Sequence, residues 1–359
     1  MKVIVACGGT GGHAFPGLAA AEELRRRGHE VVIWNSGRDV ESSVMKSWDG
    51  PVFSTKAKQL KLVNAFSILR SIIRCRREMA KAKPDALLAM GSYSSLPPVL
   101  AARSKGIRIF LHEANTVPGK AVEFLSRFAD VVATSFDETA RYLPSVKTVR
   151  TGLPVRACMA EGKRFSFIPP EAFVVFVTGG SQGAHAVNDM LKEALSMLKR
   201  ELDRRGEGAK RALYVIHQTG AADEAAVIDA YSKVSLPSRV HAFEDEMANA
   251  MASADVVVAR AGASTCFELA LCGKPALLIP LPTSMRDHQH HNADAFARRG
   301  AADEGKQSEL SPSQVFRYLL DKYDHPERLS RMAAKMKELS VPDAAARVAD
   351  IVEGRLAMS

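Results

Sequence analysis

Residues 3–17 read VIVACGGTGGHAFPG, and residues 174–188 read VVFVTGGSQGAHAVN. In each stretch a short apolar run rich in β-branched residues meets a glycine turn, and a pattern typical of a helix follows. A strand, a glycine turn and a helix form the opening unit of a doubly wound α/β domain. Because this unit occurs once in each half of the chain, the sequence predicts two such domains.

Further strand-like runs alternate with helical patterns in both halves, as expected for parallel sheets flanked by helices. We therefore predict an α/β protein with two Rossmann-like doubly wound parallel-sheet domains, at residues 1–157 and 165–340, that face a common cleft. Residues 155–170 are polar and contain prolines, which indicates the boundary, and residues 341–359 are predicted to form a helix that packs back on the first domain. The predicted strands are VIVAC, VVIW, ALLAM, RIFLH and VVAT in the first half, and VVFVT, LYVIHQ, VVVAR and ALLIPL in the second.

The composition agrees with two globular domains in a reducing compartment. The chain has 359 residues, of which 47% are hydrophobic, so each half can bury its own core. Its five cysteines are scattered without CxxC spacing, which argues against a disulfide framework or a structural zinc site. The sequence shows neither a signal-peptide pattern nor a run of 18 apolar residues, so we expect a soluble or peripheral protein.

Positive charge is concentrated in the first half of the chain. Residues 1–158 contain 24 Lys and Arg against 13 Asp and Glu, whereas residues 159–359 contain 25 against 27. Residues 65–77, AFSILRSIIRCRR, are predicted to form a helix with apolar residues on one face and arginines on another, which is typical of a helix lying on anionic lipid. The alternative is a core-facing helix with a solvated basic side, and the scarcity of aromatic residues argues against nucleic acid. The predicted membrane patch consists of Phe66, Leu69, Arg70, Ile73, Arg74 and Arg77.

Glycine turns at helix starts are suited to bind anions, because the first backbone amides of a helix lack intrahelical partners and the helix dipole is positive there. A third helix entry, ARAGASTCFEL at residues 259–269, adds to the two turns. A nicotinamide site is not supported, since the first turn is not G-x-G-x-x-G and the second strand ends in Trp34, Asn35 and Ser36 rather than in an acid. A tight connection that binds no ligand remains the alternative for any single turn.

Seven motifs carry a resemblance to a known family. In chain order they are GGTGGHAFPG, SYSSLPP, HEAN, TGLPVR, GGSQGA, RAGASTCFEL and DHQHHNA, from residue 8 to residue 293. Taken together they resemble the peptidoglycan glycosyltransferases that move N-acetylglucosamine (GlcNAc) from UDP-GlcNAc to lipid I, the undecaprenyl-pyrophosphoryl-N-acetylmuramoyl-pentapeptide. The resemblance implies the two-domain GT-B architecture and an inverting transfer to the C4 hydroxyl of N-acetylmuramic acid. It also implies UDP-GlcNAc as donor substrate, no tightly bound cofactor and no bound metal, although His288 and His291 are spaced as a chelating pair on a helix would be.

The resemblance also implies which residues form the site. The amides of Ala263, Ser264 and Thr265 would meet the diphosphate and sugar, Glu268 the ribose hydroxyls and Gln289 the sugar hydroxyls, while main-chain groups near Phe243 and Glu244 would read the base. Ser92 and Ala114 depart from the family, which commonly has glycine and glutamine there. The implied donor-site residues are Thr10, Gly11, Gly12, Asn115, Arg156, Ser181, Phe243, Glu244, Ala263, Ser264, Thr265, Glu268 and Gln289, and the acceptor-side residues are Gly91, Ser92, Tyr93 and Ser94.

An inverting transfer needs a base for the acceptor hydroxyl, and His13 at the mouth of the first predicted helix is the candidate. The alternative for His13 is a capping or acceptor-binding role without proton transfer, because the helix dipole disfavours an imidazolium there. His112 and Glu113 are reserve candidates, for which structural hydrogen bonding is the favoured role.

Partners and location follow from the same resemblance. We expect lipid I, an anionic membrane surface and other cell-wall enzymes as partners, no nucleic acid, and a peripheral position on the cytoplasmic face of the bacterial plasma membrane. The rival hypotheses are a UDP-GlcNAc epimerase of the same fold, a non-catalytic sugar-nucleotide or membrane-binding module, and a glycosyltransferase acting on diacylglycerol.

Overall fold

A computed structural model describes residues 1–9, 11–37, 48–57, 65–180 and 183–355. The chain forms two compact units. Unit 1 comprises Met1–Arg156 and Val341–Ser359, and unit 2 comprises Ala157–Ser340. Residues 158–164, which lie between the two predicted domains, therefore belong to unit 2.

Unit 1 is built on a seven-stranded sheet in the order β3-β2-β1-β4-β5-β6-β7, in which all neighbouring strands are parallel. The order changes direction between β1 and β4, so the carboxyl ends of these two strands form the switch point of the sheet, where open α/β sheets bind ligands. The strands are β1 (Lys2–Ala6), β2 (Glu30–Asn35), β3 (Val52–Ser54), β4 (Ala86–Ala89), β5 (Arg108–Glu113), β6 (Val131–Thr134) and β7 (Thr148–Arg150).

Both faces of this sheet are covered, which explains why its central strands are apolar at consecutive positions. Val3 and Val5 of β1 pack in one hydrophobic cluster, whereas Ile4 and Ala6 pack in another on the opposite face. The helices of this part of the chain are α1 (Gly11–Arg26), α2 (Ala65–Ala82), α3 (Leu96–Arg103) and α4 (Lys120–Leu125).

Unit 2 repeats this architecture with a six-stranded parallel sheet in the order β10-β9-β8-β11-β12-β13. All six residues of β8 are buried, and the switch point lies between β8 and β11. The strands are β8 (Phe173–Thr178), β9 (Leu213–Gln218), β10 (Ser238–His241), β11 (Val256–Ala259), β12 (Ala276–Leu278) and β13 (Ala302–Glu304). The helices are α5 (His185–Arg205), α6 (Glu224–Ser232), α7 (Met247–Ser253), α8 (Ala263–Cys272), α9 (His288–Ala297), α10 (Pro312–Asp324) and α11 (Pro326–Glu338).

The last helix, α12 (Ala344–Glu353), packs on α1 within unit 1. Its buried residues Val348 and Val352 join the same hydrophobic cluster as Val3. Arg27 closes the contact, since its guanidinium donates to the carboxylates of Asp350 at 2.6 Å and Glu353 at 2.7 Å.

The prediction of two parallel-sheet α/β domains is confirmed, and each of the nine predicted strands is present. The prediction missed β3, β7, β10 and β13, which are the four outermost strands of the two sheets. Edge strands are short and partly exposed, so their sequences carry a weak apolar signal. None of the helices in the described ranges is both long and apolar enough to cross a bilayer.

Candidate functional site

The first glycine turn joins β1 to α1 at the switch point of unit 1. Gly9 has a φ of +129°, and a Cβ there would lie 3.1 Å from the side chain of Ser92. Gly11 and Gly12 begin α1, whereas Thr10 lies outside the described residues. Because this turn requires a positive φ and closely approaches a neighbouring loop, glycine is the residue that fits.

The loop after β4 is hydrogen-bonded to this turn. The hydroxyls of Ser92 and Ser94 donate to the carbonyl of Gly8 at 2.5 and 2.6 Å, and Tyr93 begins a short 3₁₀ helix between them. Gly91 has a φ of +87°, and a Cβ there would lie 2.8 Å from the carbonyl oxygen of His112. Ser92, which departs from the family pattern, therefore connects the loop to the glycine turn.

His13 lies in the first turns of α1 and reaches the same switch point. Its Nδ1 is 2.7 Å from the carbonyl oxygen of Met90, the residue that follows β4. A carbonyl only accepts hydrogen bonds, so Nδ1 carries the hydrogen, and in the neutral ring Nε2 is the basic nitrogen. The imidazole is thus held in the tautomer that suits a base acting through Nε2.

His112 and Glu113 at the end of β5 are both buried, with opposite effects on their charged forms. Burial lowers the pKa of His112 to about 4, and its Nε2 donates to the carbonyl of Gly152 at 3.1 Å. Burial raises the pKa of the Glu113 carboxyl to about 7, although four donors oppose that shift. Those donors are the backbone and side-chain amides of Asn115, at 2.8 and 3.2 Å, the backbone amide of Gly119, at 3.0 Å, and the backbone amide of Ala114.

Glu113 therefore organises the loop that carries Asn115, while its neighbour Ala114 is buried. Arg156, the last residue of the first segment of unit 1, has its guanidinium carbon 4.7 Å from the ring centroid of Phe15 in α1. The described residues among those predicted for unit 1 thus gather around the carboxyl ends of β1, β4 and β5.

In unit 2, the turn after β8 is held by the end of β9. Gln218, which is 1% exposed, donates through Nε2 to the carbonyl of Gly180 at 2.7 Å and accepts the amide of Glu244 through Oε1 at 3.2 Å. Ser181 lies outside the described residues. One side chain therefore connects the glycine turn with the segment predicted to read the base.

That segment exposes Phe243 and buries Glu244. Phe243 is 51% exposed, whereas Glu244 is 2% exposed and forms an ion pair with Arg239 at 2.9 and 3.0 Å. The carboxylate of Glu244 is thus occupied inside the protein, which leaves main-chain groups as the means by which this segment meets a ligand.

The helix start after β11 is built as an anion site would be. Gly262 is the N-cap of α8, so the amides of Ala263, Ser264 and Thr265 are the first three of the helix and point out of its end. Glu268, one turn further on, is buried. The buried side chain of Asn292 in α9 donates to the carbonyl of Ala261 at 3.1 Å and holds the turn in place.

Gln289 lies at the start of α9, where its Oε1 accepts the amide of Leu281 at 2.9 Å. Its two predecessors in sequence are constrained: Asp287 adopts a φ of +54°, and His288 bonds the carbonyl of Met285 at 2.8 Å. His290 contacts the carboxylate of Glu304 at 2.5 Å. Among the described residues, no group of three or more His, Cys, Asp or Glu side chains is arranged to hold a metal ion.

Comparisons with known proteins agree with this geometry. The N-terminal domain of glycosyltransferase family 28 matches residues 3–134, and its C-terminal domain matches residues 174–348. The chain belongs to glycosyltransferase family 28. The N-terminal match contains His13, the Gly91–Ser94 loop and Asn115, and the C-terminal match contains α8 and Gln289.

Two curated relatives carry the name UDP-N-acetylglucosamine--N-acetylmuramyl-(pentapeptide) pyrophosphoryl-undecaprenol N-acetylglucosamine transferase. The relative from Myxococcus xanthus is 38% identical and covers 98% of this chain and 92% of its own length. The relative from Geobacter sulfurreducens is 34% identical and covers 98% and 97%, respectively. A solved structure of MurG from Acinetobacter baumannii has a TM-score of 0.78 at 30% identity, covering 98% of this chain and 99% of that one.

The same fold occurs in a UDP-GlcNAc 2-epimerase from Neisseria meningitidis, with a TM-score of 0.72 at 14% identity, covering 99% of this chain and 100% of that one. At this identity the likeness extends to the fold alone. The two parallel-sheet units are those of the two-domain GT-B glycosyltransferase fold.

Sequence reasoning did not identify the residues whose hydrogen bonds hold the turns of this family 28 site in place. Gln218 and Asn292 hold two of the turns, yet neither belongs to a glycine motif. Gln218 ends the predicted strand LYVIHQ, so a polar residue at the carboxyl end of a buried strand was the available signal. Asn292 lies in the DHQHHNA motif near Gln289, and that motif does not indicate that its side chain holds the turn before α8.

Helix α2 turns its predicted apolar residues outward. Phe66, Leu69 and Ile73 are 72%, 52% and 42% exposed, and the guanidinium of Arg70 lies 5.9 Å from the Phe66 ring. The face turned inward carries Ser71, Cys75 and Met79. A cavity of about 860 Å³ along this helix is lined by Arg70, Arg74, Arg77, Lys56, Lys81 and Glu78, among others.

Proposed function

We propose that the protein is an inverting glycosyltransferase that moves GlcNAc from UDP-GlcNAc to the C4 hydroxyl of N-acetylmuramic acid in lipid I, giving lipid II for peptidoglycan synthesis. The observation that carries the proposal is the sequence identity of 34–38%, over nearly the whole chain, to relatives that are named as this transferase. The polar groups at both switch points support it, because they match the anion, hydroxyl and proton-transfer chemistry of this reaction.

The donor is assigned mainly to unit 2. The amides of Ala263, Ser264 and Thr265 and the dipole of α8 suit a diphosphate, and the Glu268 carboxylate suits two ribose hydroxyls as donors. Since Leu281 occupies Oε1 of Gln289, the Gln289 NH₂ group is assigned to the sugar hydroxyls. The base is assigned to the main chain around Phe243 and Glu244, a segment that Gln218 holds through the amide of Glu244.

The remaining donor contacts of the proposal come from unit 1 and from the second glycine turn. They are Thr10, Gly11, Gly12, Asn115, Arg156 and Ser181. The acceptor pyrophosphate is assigned to the loop Gly91, Ser92, Tyr93 and Ser94, whose serines are hydrogen-bonded to the first glycine turn. No bound cofactor or metal is required.

His13 is the proposed base. Its Nε2 takes the proton of the C4 hydroxyl while the C4 oxygen attacks the anomeric carbon from the face opposite the diphosphate. The bond from that carbon to the diphosphate breaks, and UDP leaves with the electron pair, so the α linkage becomes β. The amides of α8 stabilise the charge that develops on the leaving group. Glu113 and His112 rank behind His13, because hydrogen bonds within unit 1 already occupy both carboxylate oxygens of Glu113 and Nε2 of His112.

We assign membrane contact to α2, since its outward apolar residues and arginines together suit an anionic bilayer. The patch consists of Phe66, Leu69, Arg70, Ile73, Arg74 and Arg77. The enzyme would then act as a peripheral protein on the cytoplasmic face of the plasma membrane, beside other enzymes of cell-wall synthesis.

The deciding experiment measures UDP release from UDP-GlcNAc with and without a short-chain lipid I analogue, with product mass read in parallel. Transfer requires release only with acceptor and a product heavier by one N-acetylhexosamine. UDP release without acceptor would favour the epimerase. Transfer of the sugar to diacylglycerol would favour the glycosyltransferase that acts on that lipid. Donor binding without UDP release would favour a non-catalytic binding module.

His13→Ala tests the base. We expect kcat to fall by roughly 10²–10⁴-fold with UDP affinity unchanged, since general base catalysis contributes about that much. His325→Ala, at an exposed histidine of unit 2, is the control. Wild-type kcat in His13→Ala would remove His13 from the mechanism.

Leu69→Asp tests the membrane assignment through sedimentation with vesicles that contain anionic lipid. Binding should fall, whereas Ile228→Asp, at a residue 45% exposed in unit 2, should bind as the wild type does. Equal binding of all three proteins would exclude α2 as the contact.

A further inference from the structure

Arg260 is a buried cation at the carboxyl edge of the unit 2 sheet. It directly follows β11 and precedes the N-cap of α8 by two residues. Only 8% of the residue is exposed. The guanidinium thus lies within the protein beside the strand ends at which the donor is proposed to bind.

The partners of Arg260 are uncharged. One terminal nitrogen donates to the carbonyls of Ile279 at 3.2 Å and Pro280 at 3.0 Å, and the other donates to Oε1 of Gln307 at 2.6 Å. Within the described ranges no carboxylate forms an ion pair with Arg260, and burial lowers the pKa of its guanidinium. Arg239 differs, because it is paired with the buried Glu244.

A buried charge without a counter-ion is costly, and an apolar side chain of similar size often replaces such a group without loss of stability. The three carbonyl contacts orient the guanidinium but do not neutralise it. A ligand that brings negative charge to the same edge of the sheet would do so, and the first amides of α8 attract such a ligand to that edge.

The contacts of Arg260 also reach the residue assigned to the donor sugar. Pro280, whose carbonyl accepts from Arg260, is followed by Leu281, whose amide donates to Gln289. The guanidinium therefore fixes the segment that orients Gln289.

We propose that Arg260 is a positioning residue of the donor site, whose charge complements the diphosphate of the bound nucleotide and whose hydrogen bonds fix the segment that holds Gln289. This inference rests on the proposed donor, UDP-GlcNAc. If Arg260 acts through its charge, its substitution should weaken the binding of a charged ligand more than that of an uncharged one. A purely structural arginine would affect both ligands equally.

The test compares UDP with uridine by isothermal titration calorimetry on the full chain. In Arg260→Met the dissociation constant for UDP should rise about tenfold or more, because the buried positive charge that attracts the diphosphate is lost. The constant for uridine, which lacks the diphosphate, should change less than about twofold. Arg260→Lys keeps the charge and loses the planar fork, so it should recover most of the UDP affinity.

Arg164→Met is the matched control, since Arg164 donates to the carbonyls of Ser253, Pro169 and Ala172 at the opposite edge of the same sheet. Its ratio of UDP to uridine affinity should equal that of the wild type. An equal loss of both ligands in Arg260→Met, or a loss in Arg260→Lys as large as in Arg260→Met, would overturn the charge role. Wild-type protein that does not bind UDP would instead overturn the proposed donor, and this inference with it.

Discussion

Gly152 offers a sharp test of the packing in unit 1. It has a φ of +74°, and a Cβ there would lie 2.6 Å from Cβ of Val341 and 2.9 Å from both of its γ carbons. Val341 is the first residue of the segment that returns to unit 1. Gly152→Ala therefore adds both backbone strain and a steric clash at this contact.

The two costs are of similar size. Holding an L-residue in the left-handed region costs about 1–2 kcal/mol, and overpacking a close contact costs about 1–3 kcal/mol. We expect the free energy of unfolding of unit 1 to fall by about 2–5 kcal/mol in total.

Urea unfolding followed by tryptophan fluorescence reports on unit 1 specifically, because both tryptophans, Trp34 and Trp48, lie there. Gly106→Ala is the control for strain alone, since Gly106 has a φ of +67° and no described atom lies within 4 Å of its added Cβ. In Gly152→Ala combined with Val341→Gly, which also removes Cβ of Val341, about 1–3 kcal/mol should be recovered relative to the sum of the single variants. The reasoning is refuted if Gly152→Ala is no more destabilising than Gly106→Ala.

Three further predictions concern buried polar groups. Arg27→Met removes the cation that Asp350 and Glu353 share, although Glu353 keeps His29 and Arg355 as partners, so thermal or urea unfolding should show a loss of about 1–3 kcal/mol, and a loss under about 1 kcal/mol would contradict a closing role for Arg27. His112 stays neutral when folded, with a pKa of about 4, so its contribution is present above its ordinary pKa of 6.5 and is lost as the pH falls toward 4. Between pH 6.5 and pH 4 the free energy of unfolding should therefore fall less in His112→Gln than in the wild type. The difference should be up to about 3 kcal/mol over this interval. Gln218→Leu should weaken UDP binding measured by calorimetry, because the carbonyl of Gly180 and the amide of Glu244 lose their common partner, and unchanged affinity would show that this connection is dispensable.

Long-range pairing explains where sequence reasoning succeeded and where it did not. The strand VVFVT is apolar at consecutive positions because a parallel strand is covered on both faces, so its sequence alone identified it. The edge strand Ala302–Glu304 carries two acids in three residues, and it is a strand only because β12 offers an unpaired edge. For α2, the sequence predicted an outward apolar surface, but only tertiary contacts show that Ser71, Cys75 and Met79 are the positions that pack inward.

The sequence by itself determined two glycine turns, two doubly wound domains and a candidate base at the mouth of a helix, because strand, turn and helix signals are local. Only the tertiary structure decided which nitrogen of His13 is basic, since Met90, the partner that sets the tautomer, is 77 residues away. Tertiary contacts likewise revealed that Gln218 holds a turn and that, in the described part of the chain, the buried Arg260 forms no ion pair with a carboxylate. The His13 tautomer and the contacts of Gln218 and Arg260 depend on residues that are far apart in sequence. A local sequence pattern therefore cannot predict them.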